Sequence, residues 1–270
     1  MCHSAWNLIF KSEPRRLQAS LGALAIATAL CAPVVFLYPP SALSSRTWTL
    51  VLLSGAFETA YVLALVAAYE IGDLSLVYPI ARGTAPLLVA PLAVLLLGER
   101  LSPSGLLGIA LVVIGIFATH ARSLASAAPS GGRSAGALAL LTGVMIAGYS
   151  LVNKAGVQAA PVPLYAFLVF AVDTVLLALV LALRGHGLWP HGRAAWGRAA
   201  AVGVLMLTAY LGVLAAMSRA PVSYVVAARE IGIVITTVAG VVVLRERQSR
   251  RRVAAAAVIF AGLLVLALSR

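Results

Sequence analysis

The stretch "YPIARGTAPLLVAPLAVLLLGER" occupies residues 78–100, and its only charge before the closing Glu99–Arg100 is Arg82. A second stretch, "YVVAAREIGIVITTVAGVVVLRER" at residues 224–247, again sets an arginine, Arg229, a few residues into an apolar run. About 20 consecutive apolar residues suffice to cross a bilayer as helix. A permanent charge inside such a run is expensive, so it is kept only where it faces other protein groups or a polar cavity. These two stretches therefore mark the chain as membrane-spanning, with charges held inside it.

The rest of the chain agrees. Of 270 residues, 62% are hydrophobic and only 10% charged, where a soluble domain carries charge at about 25% of positions. Nine runs are long enough to span: 17–38, 48–69, 74–97, 104–120, 135–157, 163–183, 195–217, 222–244 and 253–268. The net charge of +12 lies mostly in the short connections between runs, where it acts as a topology signal. It does not form a basic face interleaved with stacking aromatics, so no nucleic-acid partner is expected. Cys2 and Cys31 are the only cysteines. Neither a disulfide framework nor a metal site is expected from them.

A Ser/Gly/Pro-rich connector, "ARSLASAAPSGGR", divides the chain near its middle. Sliding the sequence against itself by 147 residues aligns Ala81–Arg82 with Ala228–Arg229 and Glu99–Arg100 with Glu246–Arg247. The same offset aligns Ser102 with Ser249 and Gly115 with Gly262. Apolar sequences match one another easily, so the rare charges in register carry the argument for a repeat. The expected organisation is a first repeat over 1–121, a connector over 122–134 and a second repeat over 135–270. "GYSLVNK" matches "AWNLIFK", pairing Lys154 with Lys11 and leaving the first helix of the first repeat incomplete. A start codon placed too late is the expectation.

The segment "GDLSLVYPIARGTAPLLVAPLAVLLLGERLSPSGLLGIALVVIGI", residues 72–116, resembles the end of an EamA domain of the drug/metabolite transporter superfamily. Its proline-interrupted helix, terminal Gly-Glu and glycine-rich following helix carry the resemblance. "HSAWNLIFK", residues 3–11, is similar to the end of that domain's first helix. The resemblance implies an all-α integral membrane protein of two tandem inverted five-helix repeats, the first helix incomplete here, with a central cavity and alternating access. Physical reasoning favours the same plan, because two inverted copies build a site that can open to either side.

The candidate site residues follow from the intramembrane charges. Glu58, Asp173 and Glu230 fall within runs, as do Arg82 and Arg229. Tyr78 shares the helical face of Arg82, and Ser54, Glu58 and Tyr61 share another by i, i+3/i+4 spacing. "TAY" recurs at Thr59–Tyr61 and Thr208–Tyr210, which adds Tyr210. One reading has Arg82 and Arg229 binding an anionic or zwitterionic solute while Glu58 or Glu230 carries a coupling proton. Poor solvation penalises a carboxylate's charged form, which suits proton exchange. The alternative is static ion pairing in the Glu58–Arg82 and Arg229–Glu230 neighbourhoods. Asp173 faces either a cavity or its packing neighbours. Asn153 and Lys154 read as a helix end with the lysine reaching for the interface, and Trp48, Tyr69, Trp189 and Trp196 as interfacial anchors.

The expected function is a secondary transporter of a small metabolite, proton- or exchange-coupled, in a bacterial cytoplasmic membrane. A flippase for a lipid-linked phosphate head group and a non-transporting scaffold are the alternatives, and a homodimer is compatible with all three. No GxxxxGKS-type phosphate loop is present, so ATP hydrolysis is unsupported and no cofactor is implied. There is no HExxH and only one aspartate well inside a run, which argues against a membrane enzyme.

Overall fold

The computed structural model describes residues 15–72, 74–125, 132–242 and 250–269. Its ten described α-helices are α1 (Arg16–Cys31), α2 (Ser45–Ile71), α3 (Leu74–Leu97), α4 (Pro103–Ala125), α5 (Gly132–Ala159), α6 (Val162–Leu183), α7 (Arg193–Met217), α8 (Val222–Ala228), α9 (Ile231–Val242) and α10 (Arg250–Leu268). Among the described residues six apolar segments are long enough to cross a membrane: Arg16–Phe36, Ser45–Ile71, Leu76–Leu97, Ser134–Ala159, Val162–Leu183 and Arg193–Met217. Pro103–Thr119 and Val253–Leu268 are shorter apolar helices. The expected stub of a first helix lies outside the described residues.

Large apolar side chains remain exposed on these helices, with Phe36 at 89% and Leu95 at 77%. In water such a surface would drive aggregation. Against lipid tails it carries no penalty, and only the backbone polar groups must be satisfied, as helices do internally.

The chain forms two compact units: Met1–Leu63 with Val152–Arg219, and Ala64–Leu151 with Ala220–Arg270. Each takes one stretch from each half of the sequence. The division falls inside α2 and inside α5. In the first unit α1 packs against α6 and α7, around Leu21, Leu24, Phe170, Leu177 and Leu181. In the second unit α4 packs against α10, and α3 against α4 and α8. Its core holds Val112, Ile116, Ala227 and Ile259.

The α4–α10 contact explains two glycines. A Cβ on Gly262 would lie 2.8 Å from the Gly108 carbonyl oxygen, and one on Gly115 would lie 3.0 Å from that of Ala255. Small residues let helix backbones approach closely where lipid offers no hydrophobic drive for packing. The two contacts are mutual under the 147-residue offset. Gly115 corresponds to Gly262 and Gly108 to Ala255, so the helices cross antiparallel with the same face on both.

The eighth apolar run, expected as one helix over 222–244, is broken. α8 ends at Ala228 and α9 begins at Ile231. Between them the backbone tightens to i→i−3 bonding, with N–H groups donating from Glu230 to Ala227 O (3.1 Å) and from Ile233 to Glu230 O (3.0 Å). Such tight turns mark strained or functional points in helices. Here the break falls on the charged pair Arg229–Glu230. By contrast, α3 stays helical through Pro79, Pro86 and Pro91.

Glu99, just past the end of α3, has a structural role. Gly98 ends α3 at φ +66°, a conformation glycine adopts without a Cβ penalty. The Glu99 carboxylate then accepts from Val222 N–H (2.5 Å), Ser223 N–H (3.3 Å) and the Ser223 hydroxyl (2.8 Å). It caps the first turn of α8, where N–H groups lack helical partners and negative charge is favoured. Ser102 N–H donates to the Tyr224 hydroxyl at 3.2 Å, fastening the same loop.

Candidate functional site

Among the described residues, each unit buries a cluster of polar side chains on several helices. In the first unit the hub is Asn153 on α5, 1% exposed. Its Nδ2 donates to Glu58 Oε1 (3.2 Å) and to the Tyr210 hydroxyl oxygen (3.1 Å). Its Oδ1 accepts from the hydroxyls of Ser54 (2.5 Å) and Tyr165 (3.1 Å). Tyr210 donates to Glu58 Oε1 at 2.7 Å, and Ser54 reaches the same oxygen at 3.4 Å. One network therefore ties α2, α5, α6 and α7. The neighbouring Thr59 donates to Asp173 Oδ1 at 2.6 Å, and the Tyr210 ring stands 4.7 Å from that of Phe170, centroid to centroid. Buried polar groups are tolerated in apolar surroundings when hydrogen-bonded, and this cluster meets that condition with neutral amide and hydroxyl donors.

The second unit holds the arginines. Arg82 Nη2 lies 3.2 Å from Glu230 Oε1, with the two side chains 14% and 3% exposed. The Arg82 guanidinium carbon sits 5.8 Å from the centre of the Tyr78 ring, one helical turn earlier. Arg229 repeats the pattern with Tyr149, its guanidinium carbon 5.9 Å from the ring centre and its Nη2 donating to the hydroxyl at 3.1 Å. Each cation thus rests against an aromatic face, a favourable arrangement where water is excluded.

The sequence-derived candidates sort cleanly. Glu58, Tyr210 and Asp173 fall in the first unit's cluster, and Tyr61 is half-buried on the same helix as Glu58. Arg82, Tyr78, Glu230 and Arg229 fall in the second. The ion pair joins Arg82 to Glu230, a combination across the two neighbourhoods the spacing suggested. Tyr165 and Tyr149 are not among the sequence-derived candidates, and Asn153 enters the sequence reading only as part of a helix end. Asn153 had one signal, an amide in an apolar run, obscured by the adjacent lysine. Lys154 does not simply reach for the interface. It is buried and its Nζ donates to the Met217 carbonyl at 2.6 Å, capping the end of α7. Trp189 and Trp196 stack 5.9 Å apart and are exposed. Among the described residues no group of three or more His, Cys, Asp or Glu could hold a metal ion.

Apolar helices with exposed greasy faces, enclosing polar clusters that include charges, mark an integral multi-pass membrane protein. A family model described as "Sugar transport protein" matches residues 7–269. The chain belongs to that family, a family of membrane transporters, which agrees at this level with the transporter resemblance read from residues 72–116. One similar solved structure, a crystal structure 19% identical, superposes with a TM-score of 0.76 over 98% of this chain and 92% of its own. That likeness shows the fold alone. No curated protein matches the sequence.

Proposed function

We propose that this protein is a secondary transporter of a sugar-class solute in a bacterial cytoplasmic membrane. It works by alternating access between two tandem inverted repeats and couples transport to a proton or to an exchanged solute. The observation that carries this reading is the family match over 7–269, laid on helices that bury charged and hydrogen-bonding side chains. Intramembrane ionisable groups mark solute pathways or proton relays. The mutual glycine contacts of α4 and α10 support the repeat, because an antiparallel pair with the same face on both is what inverted copies produce.

The two clusters suit different tasks. Glu58, held by Tyr210, Asn153 and Ser54, is the candidate carrier of the coupling proton, with Asp173 nearby on Thr59. Arg82, Arg229, Tyr78 and Glu230 are the candidate solute contacts, and Tyr61 a further candidate beside Glu58. A sugar acid is a second reading, favoured by the two guanidinium groups, Arg82 and Arg229, that the second unit's cluster holds beside aromatic rings, since guanidinium pairs well with a carboxylate.

The test is uptake of radiolabelled neutral sugars and sugar acids into proteoliposomes, with and without an imposed pH gradient. Saturable uptake above empty liposomes is expected for at least one of them. Uptake no greater than that of empty liposomes for every sugar would overturn the reading.

A further inference from the structure

The second unit contains a buried acid that is only half used. Glu230 is 3% exposed and gives one carboxylate oxygen to Arg82 at 3.2 Å. Its other oxygen, Oε2, has no hydrogen-bond partner among the described residues. Nearly all buried polar atoms find partners, so an exception asks for an explanation. We infer that Glu230 and Arg82 form a recognition site for adjacent hydroxyls of a sugar. In it Glu230 Oε2 accepts from one hydroxyl and the Arg82 guanidinium donates to its neighbour. The assignment rests on the sugar reading above.

Three features support it. A hydroxyl both donates and accepts, so two vicinal hydroxyls match a carboxylate and a guanidinium already held side by side. A bare anion would match the guanidinium and be repelled by Oε2. Next, aromatic faces stand at the site, Tyr78 by Arg82 and Tyr149 by Arg229. A few fixed polar groups among aromatic side chains are the usual make-up of a small-molecule site. Finally, the site lies at the break between α8 and α9. Transporters commonly build substrate sites at interrupted helices. Ala228 at this break is exposed and Arg82 and Arg229 are partly so, which gives a solute an approach to Glu230.

The experiment compares wild type, Glu230→Gln and the double variant Arg82→Gln/Glu230→Gln, each full-length and reconstituted. The probes are glucose, galactose and mannose with their monodeoxy derivatives, read as competition against the best labelled hexose. In wild type, removing one particular hydroxyl should weaken competition about tenfold or more. Site-built hydrogen bonding discriminates strongly against a missing hydroxyl. In Glu230→Gln the parent sugar should weaken similarly, and the penalty for that same deoxy position should disappear. The double variant strands neither member of the Arg82–Glu230 pair, so it carries the same test should the single variant fail to fold. Wild-type-like affinity in Glu230→Gln, or deoxy penalties unchanged in the variants, would overturn this assignment alone. Wild-type protein that takes up none of the sugars would overturn the sugar reading and the assignment with it.

Discussion

Replacing Asn153 with leucine tests whether the first unit is held together by its polar hub. The substitution keeps the side chain near the same size and removes four hydrogen bonds, to Glu58, Tyr210, Ser54 and Tyr165. Side-chain hydrogen bonds between membrane helices average about 0.6 kcal/mol, and soluble-protein values run near 1 kcal/mol. Losing four therefore predicts a destabilisation of about 2–4 kcal/mol, within the range of a severe single substitution. Ser54 and Tyr210 keep their bonds to Glu58, which places the expected value toward the lower end. The assay is reversible unfolding in mixed micelles of mild detergent and SDS, followed by helix content. Tyr165→Phe, which removes one bond from the same hub, should cost about 0.6 kcal/mol by itself. Added to Asn153→Leu it should cost almost nothing further, because its partner is already gone. A stability within about 0.5 kcal/mol of wild type, the range usual for substitutions away from such features, would refute the reasoning. So would strict additivity of the two substitutions.

Other predictions concern the second unit. Arg82→Gln or Glu230→Gln alone strands a buried charge and should destabilise by about 3–5 kcal/mol, while the double variant should recover much of that loss in the same unfolding assay. Gly262→Leu forces side-chain atoms into the Gly108 carbonyl and should lower stability by at least about 1–3 kcal/mol, the usual range for overpacking. The corresponding Gly115→Leu should behave alike, since its Cβ meets the Ala255 carbonyl. Glu99→Ala removes the cap of α8 and should cost about 0.5–2 kcal/mol, typical of a lost N-cap. Amide exchange at Val222 and Ser223 should quicken in that variant, and unchanged exchange would count against the cap.

Much of the architecture was legible because lipid imposes a crude rule. Apolar runs of spanning length mark the helices, and Arg82 with Arg229 marks the second cluster. Periodicity could not show that the run over 222–244 breaks. The residues flanking Arg229–Glu230 are good helix formers in lipid, and the break arises where Glu230 meets Arg82 from another helix. Asn153 was hidden for a related reason. Its importance lies in four partners from three other helices and none from its own, so no local spacing encodes it. Ser54 and Glu58, one turn apart, were visible because their contact is local.

The cap on α8 has a bearing on how the chain is made. Glu99 precedes Val222 by 123 residues, which at about 5–20 residues per second of synthesis amounts to roughly 6–25 s. The carboxylate that receives the start of α8 is therefore already synthesised when that helix leaves the ribosome. The cap joins residues made well apart in time, so a ribosome stalled before residue 222 leaves Glu99 without Val222 and Ser223, and a second half produced on its own lacks the residue that caps α8.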